Sequence, residues 1–390
     1  MLLVARRPQI LLTPEFRVED GQTFFLGTYF GSPLDGVLRP YEGYLHVVPR
    51  LIALLERVPP IQFAPLVANL AAIAIAVAVA CYLASGRLAA IIPNQRTRLA
   101  LAALVIVAPG TAELIGSMTY AQWFLDVFLI AAAIAPEPSS RQRRVIELCA
   151  LALAAMSGLA SLFIAPLHVA AAVANRSRWR VATASITTIA AAVQLTLLLT
   201  STREPHGGGT LYDATGVVAV RAVVEPILGA RITTLIATPP VIAVVAVVIA
   251  GLLVFAVRDL PRRWLFVLGY VWVASVAAVL EGSINTYHTL LGPVAGEHYF
   301  YVPGLIVGAV VVLAIAHRRR AAAVALAALL VVGVVADFWI RPLNTHDWPA
   351  RSACIGGVDP CLVPVEPVSV WTIRWPGQGG QYSQTRARVQ

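Results

Sequence analysis

Glu19 and Asp20 stand side by side in the run Pro14-Glu15-Phe16-Arg17-Val18-Glu19-Asp20-Gly21-Gln22-Thr23-Phe24-Phe25. Paired carboxylates suit proton abstraction from a hydroxyl, because partial desolvation raises a carboxylate's pKa and makes it a stronger base. The same pair also serves as an ordinary solvated turn. Residues 44–57 follow, Tyr-Leu-His-Val-Val-Pro-Arg-Leu-Ile-Ala-Leu-Leu-Glu-Arg. At about 100° per residue, His46, Arg50 and Arg57 share one face while Leu45, Val48, Ile52 and Leu55 share another. That pattern predicts an amphipathic helix in the plane of a membrane surface, with Pro49 in its first turn or at a kink. His46 and Arg50 then either anchor the helix or face an anionic head group at the mouth of a cavity. Farther on, Thr119, Gln122, Trp123 and Asp126 are spaced to share one helix face. An acid such as Asp126 inside an apolar stretch costs roughly 2.5–3.5 kcal/mol on insertion scales and should face a bundle interior. It serves either a proton or substrate path or helix packing.

The elements that position these residues are transmembrane helices. The chain has 390 residues, 58% hydrophobic and 13% charged, with mean hydropathy +0.77. A soluble domain carries nearer 25% charged residues, so lipid is the main solvent here. A spanning helix needs about 20 mostly apolar residues with every backbone group satisfied internally. Phe63 to Leu83, Val181 to Thr200, Val241 to Val257, Trp264 to Leu280, Tyr301 to Ala316 and Ala321 to Ala336 qualify. Leu99 to Ala135 is broken at Pro109-Gly110-Thr111-Ala112-Glu113 and reads as two helices. Leu148 to Ala174 turns near Ser157-Gly158 and reads the same way, with one long tilted helix as the alternative. The expectation is an all-α, polytopic bundle of about ten spans over residues 63–338. It is flanked by an outer segment 1–62, outer loops 201–239 and 281–299, and a tail 339–390.

Arginine sets the expected orientation. All 29 basic residues are Arg, and the formal net charge is +9. Short connections on one side hold Arg87, Arg96 and Arg98; Arg141, Arg143 and Arg144; Arg176, Arg178 and Arg180; Arg258, Arg262 and Arg263; and Arg318, Arg319 and Arg320. They hold only Glu137, Glu147 and Asp259 against them. Short Arg-rich loops stay cytoplasmic, which places both terminal segments outside. The positive charge is thus a topology signal and not a nucleic-acid footprint. Met1 to Leu12 is too short to span and lacks a secretory signal's apolar core, so the N-terminal segment either translocates as a tail or follows a further helix. Cys354 and Cys361 fall in the outer tail, where an oxidising compartment permits a disulfide; a zinc pair would need two further ligands. Cys81 and Cys149 sit in apolar stretches and read as inert core residues.

This layout resembles the GT-C class of polytopic glycosyltransferases, which take sugars from polyprenyl-phosphate carriers. The resemblance rests on the acidic pair Glu19-Asp20, the helix at 44–57 and the run Glu297-His298-Tyr299-Phe300-Tyr301-Val302-Pro303. That run is similar to the Arg-Tyr-aromatic-x-Pro segment opening a late span in such enzymes, with His298 in the place of the Arg. The resemblance implies Asp20 as base, with Glu19 orienting the acceptor or ligating a divalent cation (Mg or Mn). Arg50 or His298 would stabilise the leaving phosphate, and Glu297, Tyr299, Gln122 and Trp123 would line the substrate cavity. It also implies a membrane-lipid setting in a bacterial cell membrane, a polyprenyl-phosphate sugar donor and a glycan or lipid acceptor. Two other classes remain: a flippase or transporter, favoured by Asp126 and disfavoured by the lack of repeats, and a non-catalytic membrane scaffold.

Overall fold

In the computed structural model, the described residues are 1–201, 210–258, 260–282, 290–291, 296–318, 321–342, 344–367 and 371–382. Residues 202–209 of the 201–239 loop, more than half of the 281–299 loop, Arg319, Arg320 and Asp259 therefore lie outside them. The described chain is dominated by α-helices. The helix of the 44–57 segment is α1 (Val47–Leu55), followed by α2 (Ala64–Ala84), α3 (Gln95–Val107), α4 (Ala121–Ile134), α5 (Arg141–Ala155) and α6 (Ala160–Ala174). After these come α7 (Arg178–Thr200), α8 (Glu225–Leu235), α9 (Pro239–Val257), α10 (Arg262–Gly282), α11 (Tyr301–His317) and α12 (Ala321–Ala336).

Five segments are long and apolar enough to cross a membrane: Ile61–Ala84, Arg178–Thr200, Pro239–Val257, Arg262–Gly282 and Glu297–His317. Each of the other expected spans carries a helix. However, α3, α4, α5, α6 and α12 have 13, 14, 15, 15 and 16 residues. At 1.5 Å per residue they rise only about 20–24 Å, short of about 30 Å of hydrocarbon. The chain does break at 108–120 and at 156–159, where Pro-Gly and Ser-Gly interrupt the apolar runs.

Side-chain contacts sort the connections into two ends. At the Arg-rich end, Arg87 pairs with Glu147 at 2.5 Å and donates to the Pro136 carbonyl, while Arg180 donates to the carbonyls of Ala133 and Ala135 at 2.7 Å. These bonds satisfy carbonyls left open at helix C-termini. At the opposite end, α8 is interrupted at Gly229, whose φ of +79° suits a residue without Cβ. Asp337 then accepts from the N–H groups of Ala230 and Arg231 at 2.7 and 3.2 Å, capping the second half of α8.

The N-terminal segment and the C-terminal tail share one hydrophobic cluster at that opposite end, built from Phe16, Phe24, Phe25, Tyr41, Trp348, Val363, Trp371, Ile373 and neighbours. The tail forms an antiparallel hairpin of β1 (Cys361–Val365) and β2 (Trp371–Trp375), closed by the Cys354–Cys361 disulfide. Its backbone joins the head where Val18 N–H donates to Glu366 O and Glu366 N–H to Phe16 O. Gly21 is where the hairpin comes closest: a Cβ there would lie 2.8 Å from Ile373.

Two expectations need correction. The helix at 44–57 is shorter, and its polar face turns inward: His46 and Arg50 are 2% and 1% exposed, whereas Leu51 and Leu55 lie outside. Protein rather than lipid head groups meets its cations, because α1 docks on the α5–α6 break through Val48 N–H to Ser157 Oγ. Gln194 of α7 completes the seat, accepting from Leu45 N–H at 2.8 Å. Cys81 and Cys149 are exposed, not core. A spanning helix is apolar on its lipid-facing side too, so an apolar run does not tell inside from outside.

Candidate functional site

The acidic pair enters a wide π-type turn at Asp20–Phe25, a geometry frequent at functional sites. Just before it, Val18 has φ +44°. A β-branched residue in this region is strained and persists only where the surroundings hold it. Here the hold is the Val18–Glu366 backbone bond on one side and Asp20 on the other.

Asp20 is not an exposed loop acid, as the sequence reading had placed it. It is 0% exposed, with its carboxylate seated in the α3–α4 connection. Oδ1 accepts from Ser117 Oγ at 3.2 Å, Thr119 N–H at 2.9 Å and Thr119 Oγ1 at 2.5 Å, and Oδ2 accepts from Met118 N–H at 3.3 Å. Burial pushes its pKa up to about 6, against the pull of those donors and of the Arg17 charge. Thr119, expected on a cavity stripe with Gln122, is spent on holding Asp20.

His46 lies among Phe24, Tyr41 and Tyr44, with ring centroids 4.2–5.8 Å away. Burial first and the Arg50 charge second bring its pKa down to about 3, so it is neutral. Arg50 donates to Thr23 O at 2.7 Å and lies 4.8 Å from the Phe24 ring centre. Both residues brace the turn that carries the acidic pair instead of facing a lipid phosphate.

A second group of predicted residues does come together. His298, in the turn Glu297–Phe300, bonds through Nδ1 to Glu113 Oε2 at 2.6 Å, and its backbone N–H donates to the same oxygen at 3.2 Å. Burial acts to raise the Glu113 pKa, but the hydrogen bond and charge of His298 outweigh it and hold the carboxyl below its usual value. Tyr120 stacks on His298 at 4.3 Å, with Trp123 at 5.9 Å and Tyr299 at 4.0 Å. Tyr299 is 38% exposed, so the cluster reaches the surface. Among surrounding charges Glu19 acts most strongly on Tyr120 and Glu113 next.

Glu297 is 4% exposed, and Gln122 is buried against Gly158. Asp126 is buried in α4, as an intramembrane acid requires.

The sequence reading missed the cations. Arg17 Nη1 donates to Glu113 O at 2.7 Å and to Ile115 O at 3.3 Å, and Arg7 Nη1 donates to the same Ile115 O at 3.3 Å. Arg7 and Arg17 are 5% and 8% exposed, and the Nε of each lacks a hydrogen-bond partner. Burial, then the like charges of Arg17 and Arg6, bring Arg7 down to about 8. Two guanidinium groups thus converge on one carbonyl, with Glu113, Glu297 and Asp20 among the carboxylates interacting with them, and their open Nε–H donors suit an oxyanion. Glu113 entered the sequence reading only within the Pro-Gly break of the Leu99 to Ala135 run, and Arg7 and Arg17 were given no role there. Among the described residues, no group of three or more His, Cys, Asp or Glu is arranged to hold a metal ion. No family model, curated protein or solved structure matches this chain.

Proposed function

We propose that this chain is a multi-pass glycosyltransferase of the GT-C type. In this reading about ten spans place the acidic pair outside, and a sugar moves from a polyprenyl phosphate to an extracytoplasmic glycan or lipid hydroxyl. The observation that carries the reading is the convergence of Arg7 and Arg17 on Ile115 O, beside the Glu113–His298 pair, with Glu19 acting on Tyr120 of the same cluster. Arg7 and Arg17 each keep a buried Nε–H without a partner, and charge-assisted bonds from such guanidinium groups suit the phosphate diester of a lipid-linked sugar.

The acceptor oxygen attacks the anomeric carbon, the bond from that carbon to the phosphate oxygen breaks, and the electron pair leaves on the phosphate. Arg7, Arg17 and the His298 ring, held at Nδ1 by Glu113, stabilise the developing charge. Glu19 takes the hydroxyl proton. Asp20, with four donors on its carboxylate, anchors the turn that presents Glu19 and is a positioning residue.

Reconstituted protein tests this with a panel of polyprenyl-phosphate sugars. Arg7→Gln and Arg17→Gln should each raise the donor KM at least tenfold, and Glu19→Gln should lower kcat by roughly 10²–10⁴-fold. Absence of transfer from every donor, or unchanged kinetics in folded variants, overturns the proposal. Asp126, buried in α4, favours a second reading as a lipid-linked-sugar transporter. In that case Asp126→Asn would abolish transbilayer movement in vesicles lacking any acceptor.

A further inference from the structure

A cleft of about 500 Å³ opens where head and tail meet, lined by Phe30, Gly31, Arg39, Gln381 and Tyr382. Its aromatic wall is built by Phe30 and Tyr382, stacked at 4.9 Å with 12° between planes, and by Trp375 packed 5.8 Å from Phe30. Arg39 donates one N–H to Phe30 O at 2.9 Å and lies 5.7 Å from the Tyr382 ring centre. Beneath it Arg50, 1% exposed, keeps Nε and Nη2 without hydrogen-bond partners. The neighbouring acid, Asp35, is engaged by Ser32 in a helix cap.

We propose that this cleft binds an acidic saccharide. Arg39 on the wall offers a guanidinium to an anionic group, and Arg50 adds positive charge beneath it. The volume is within the range of small-molecule pockets and far exceeds an inorganic anion. An apolar ligand would leave the Arg39 guanidinium and the Gln381 amide desolvated and unmatched. Sugar hydroxyls and a carboxylate match both groups, and ring C–H atoms pack against aromatic carbon. The cleft is tied to the candidate site through Tyr382, whose hydroxyl donates to Gln22 O at 3.0 Å and Thr23 O at 3.1 Å, inside the turn that begins at Asp20. Given the transferase reading, on which this step alone rests, the cleft holds the acceptor glycan away from its reacting hydroxyl.

Full-length protein in nanodiscs, titrated calorimetrically without donor, tests the cleft independently of transfer. Trigalacturonate should bind with submillimolar affinity, maltotriose at least tenfold more weakly, and inorganic phosphate should not displace the acidic trisaccharide. Arg39→Gln and Gln381→Ala should each weaken trigalacturonate binding at least fivefold. Equal binding of maltotriose, competition by phosphate alone, or no binding at all overturns the proposal. So does unchanged binding by either variant with a native near-ultraviolet circular dichroism spectrum. Gln381→Ala, at a solvent-facing site, serves if Arg39→Gln does not fold. Loss of transfer without loss of this binding would count against the catalytic reading and leave the cleft standing.

Discussion

Replacing Asp20 by asparagine separates an anchoring carboxylate from a catalytic one. In the folded chain the carboxylate is fully buried, and its pKa is raised from 3.8 to about 6, chiefly by burial. The folded state therefore holds this proton more tightly than the unfolded state between about pH 4 and 6. Stability from this group is fully present below about pH 4 and is lost as pH rises through about 6. At 1.36 kcal/mol per pH unit, that difference is roughly 3 kcal/mol, an order-of-magnitude figure. Asparagine cannot titrate, so Asp20→Asn removes the slope. Its amide oxygen can keep the three donors now on Oδ1, but its NH₂ must then meet the Met118 N–H, a donor facing a donor. That mismatch costs about 1–3 kcal/mol. Near pH 7.5 relief of the buried charge offsets the mismatch. At pH 5 the relief vanishes, and the variant should be clearly the less stable. The assay is thermal unfolding in detergent at pH 7.5, 6 and 5, followed by near-ultraviolet circular dichroism, with transfer rates on the same preparations. Transfer by Asp20→Asn should fall less than tenfold, against roughly 10²–10⁴-fold for loss of the base. Parallel pH profiles for parent and variant, or an unchanged melting temperature with a hundredfold loss of transfer, would refute the anchoring role and return Asp20 to the chemistry.

Other outcomes follow from the same contacts. Glu113→Gln should destabilise the protein above about pH 5 and much less in acid, because a carboxyl held below its ordinary 4.5 contributes stability that is lost as pH falls; equal destabilisation at pH 4 and pH 7.5 would contradict this. Cys354→Ser should lower stability by about 2 kcal/mol, since the bond closes a loop with a separation of 7 residues, and a peptide map should lose one cross-link. For topology, reporter fusions at Ser139 and at Gly207, the latter outside the described residues, should report opposite compartments; the same compartment for both would sink the arrangement.

The helical bundle was legible because hydropathy acts over whole segments. Runs such as 241–257 and 301–316 contain nothing that could satisfy water, and they fold as α9 and α11. Breaks at Pro109-Gly110 and Ser157-Gly158 were legible for the same local reason, since glycine and proline withdraw helix stability wherever they sit. The direction in which a helix faces was not. Residues 47–55 alternate as an amphipathic helix should, yet Arg50 points inward because Thr23 O and the Phe24 ring lie there, and neither is recorded in the periodicity of α1. Nor does a two-strand hairpin of ten residues announce its partner: the pairing of Val18 with Glu366 joins residues more than three hundred positions apart.

The site shows the same division more sharply. Adjacency in sequence suggested that Glu19 and Asp20 act together, but neighbouring residues at the mouth of a turn point in different directions. One carboxylate is sealed by Ser117, Met118 and Thr119, while the other acts on Tyr120, which stacks on His298. The strained Val18 makes this divergence, because a φ of +44° reverses the backbone between Arg17 and Glu19. Arg17 is thereby delivered to Ile115 O, where Arg7 already donates. Donor bookkeeping explains why such a pair can be read from structure and not from composition. Arg7 and Arg17 donate only to carbonyls, and each is left with an unbonded buried Nε–H. Arg6 shows the contrast: it donates to the carbonyls of Phe338, Ile106 and Asp337 and to the Thr111 hydroxyl, and Asp337 is the foremost charge opposing its loss of hydration. Of three arginines within a short stretch of chain, one is thus satisfied by the fold, and two keep an unbonded Nε–H that an incoming phosphate oxygen would accept.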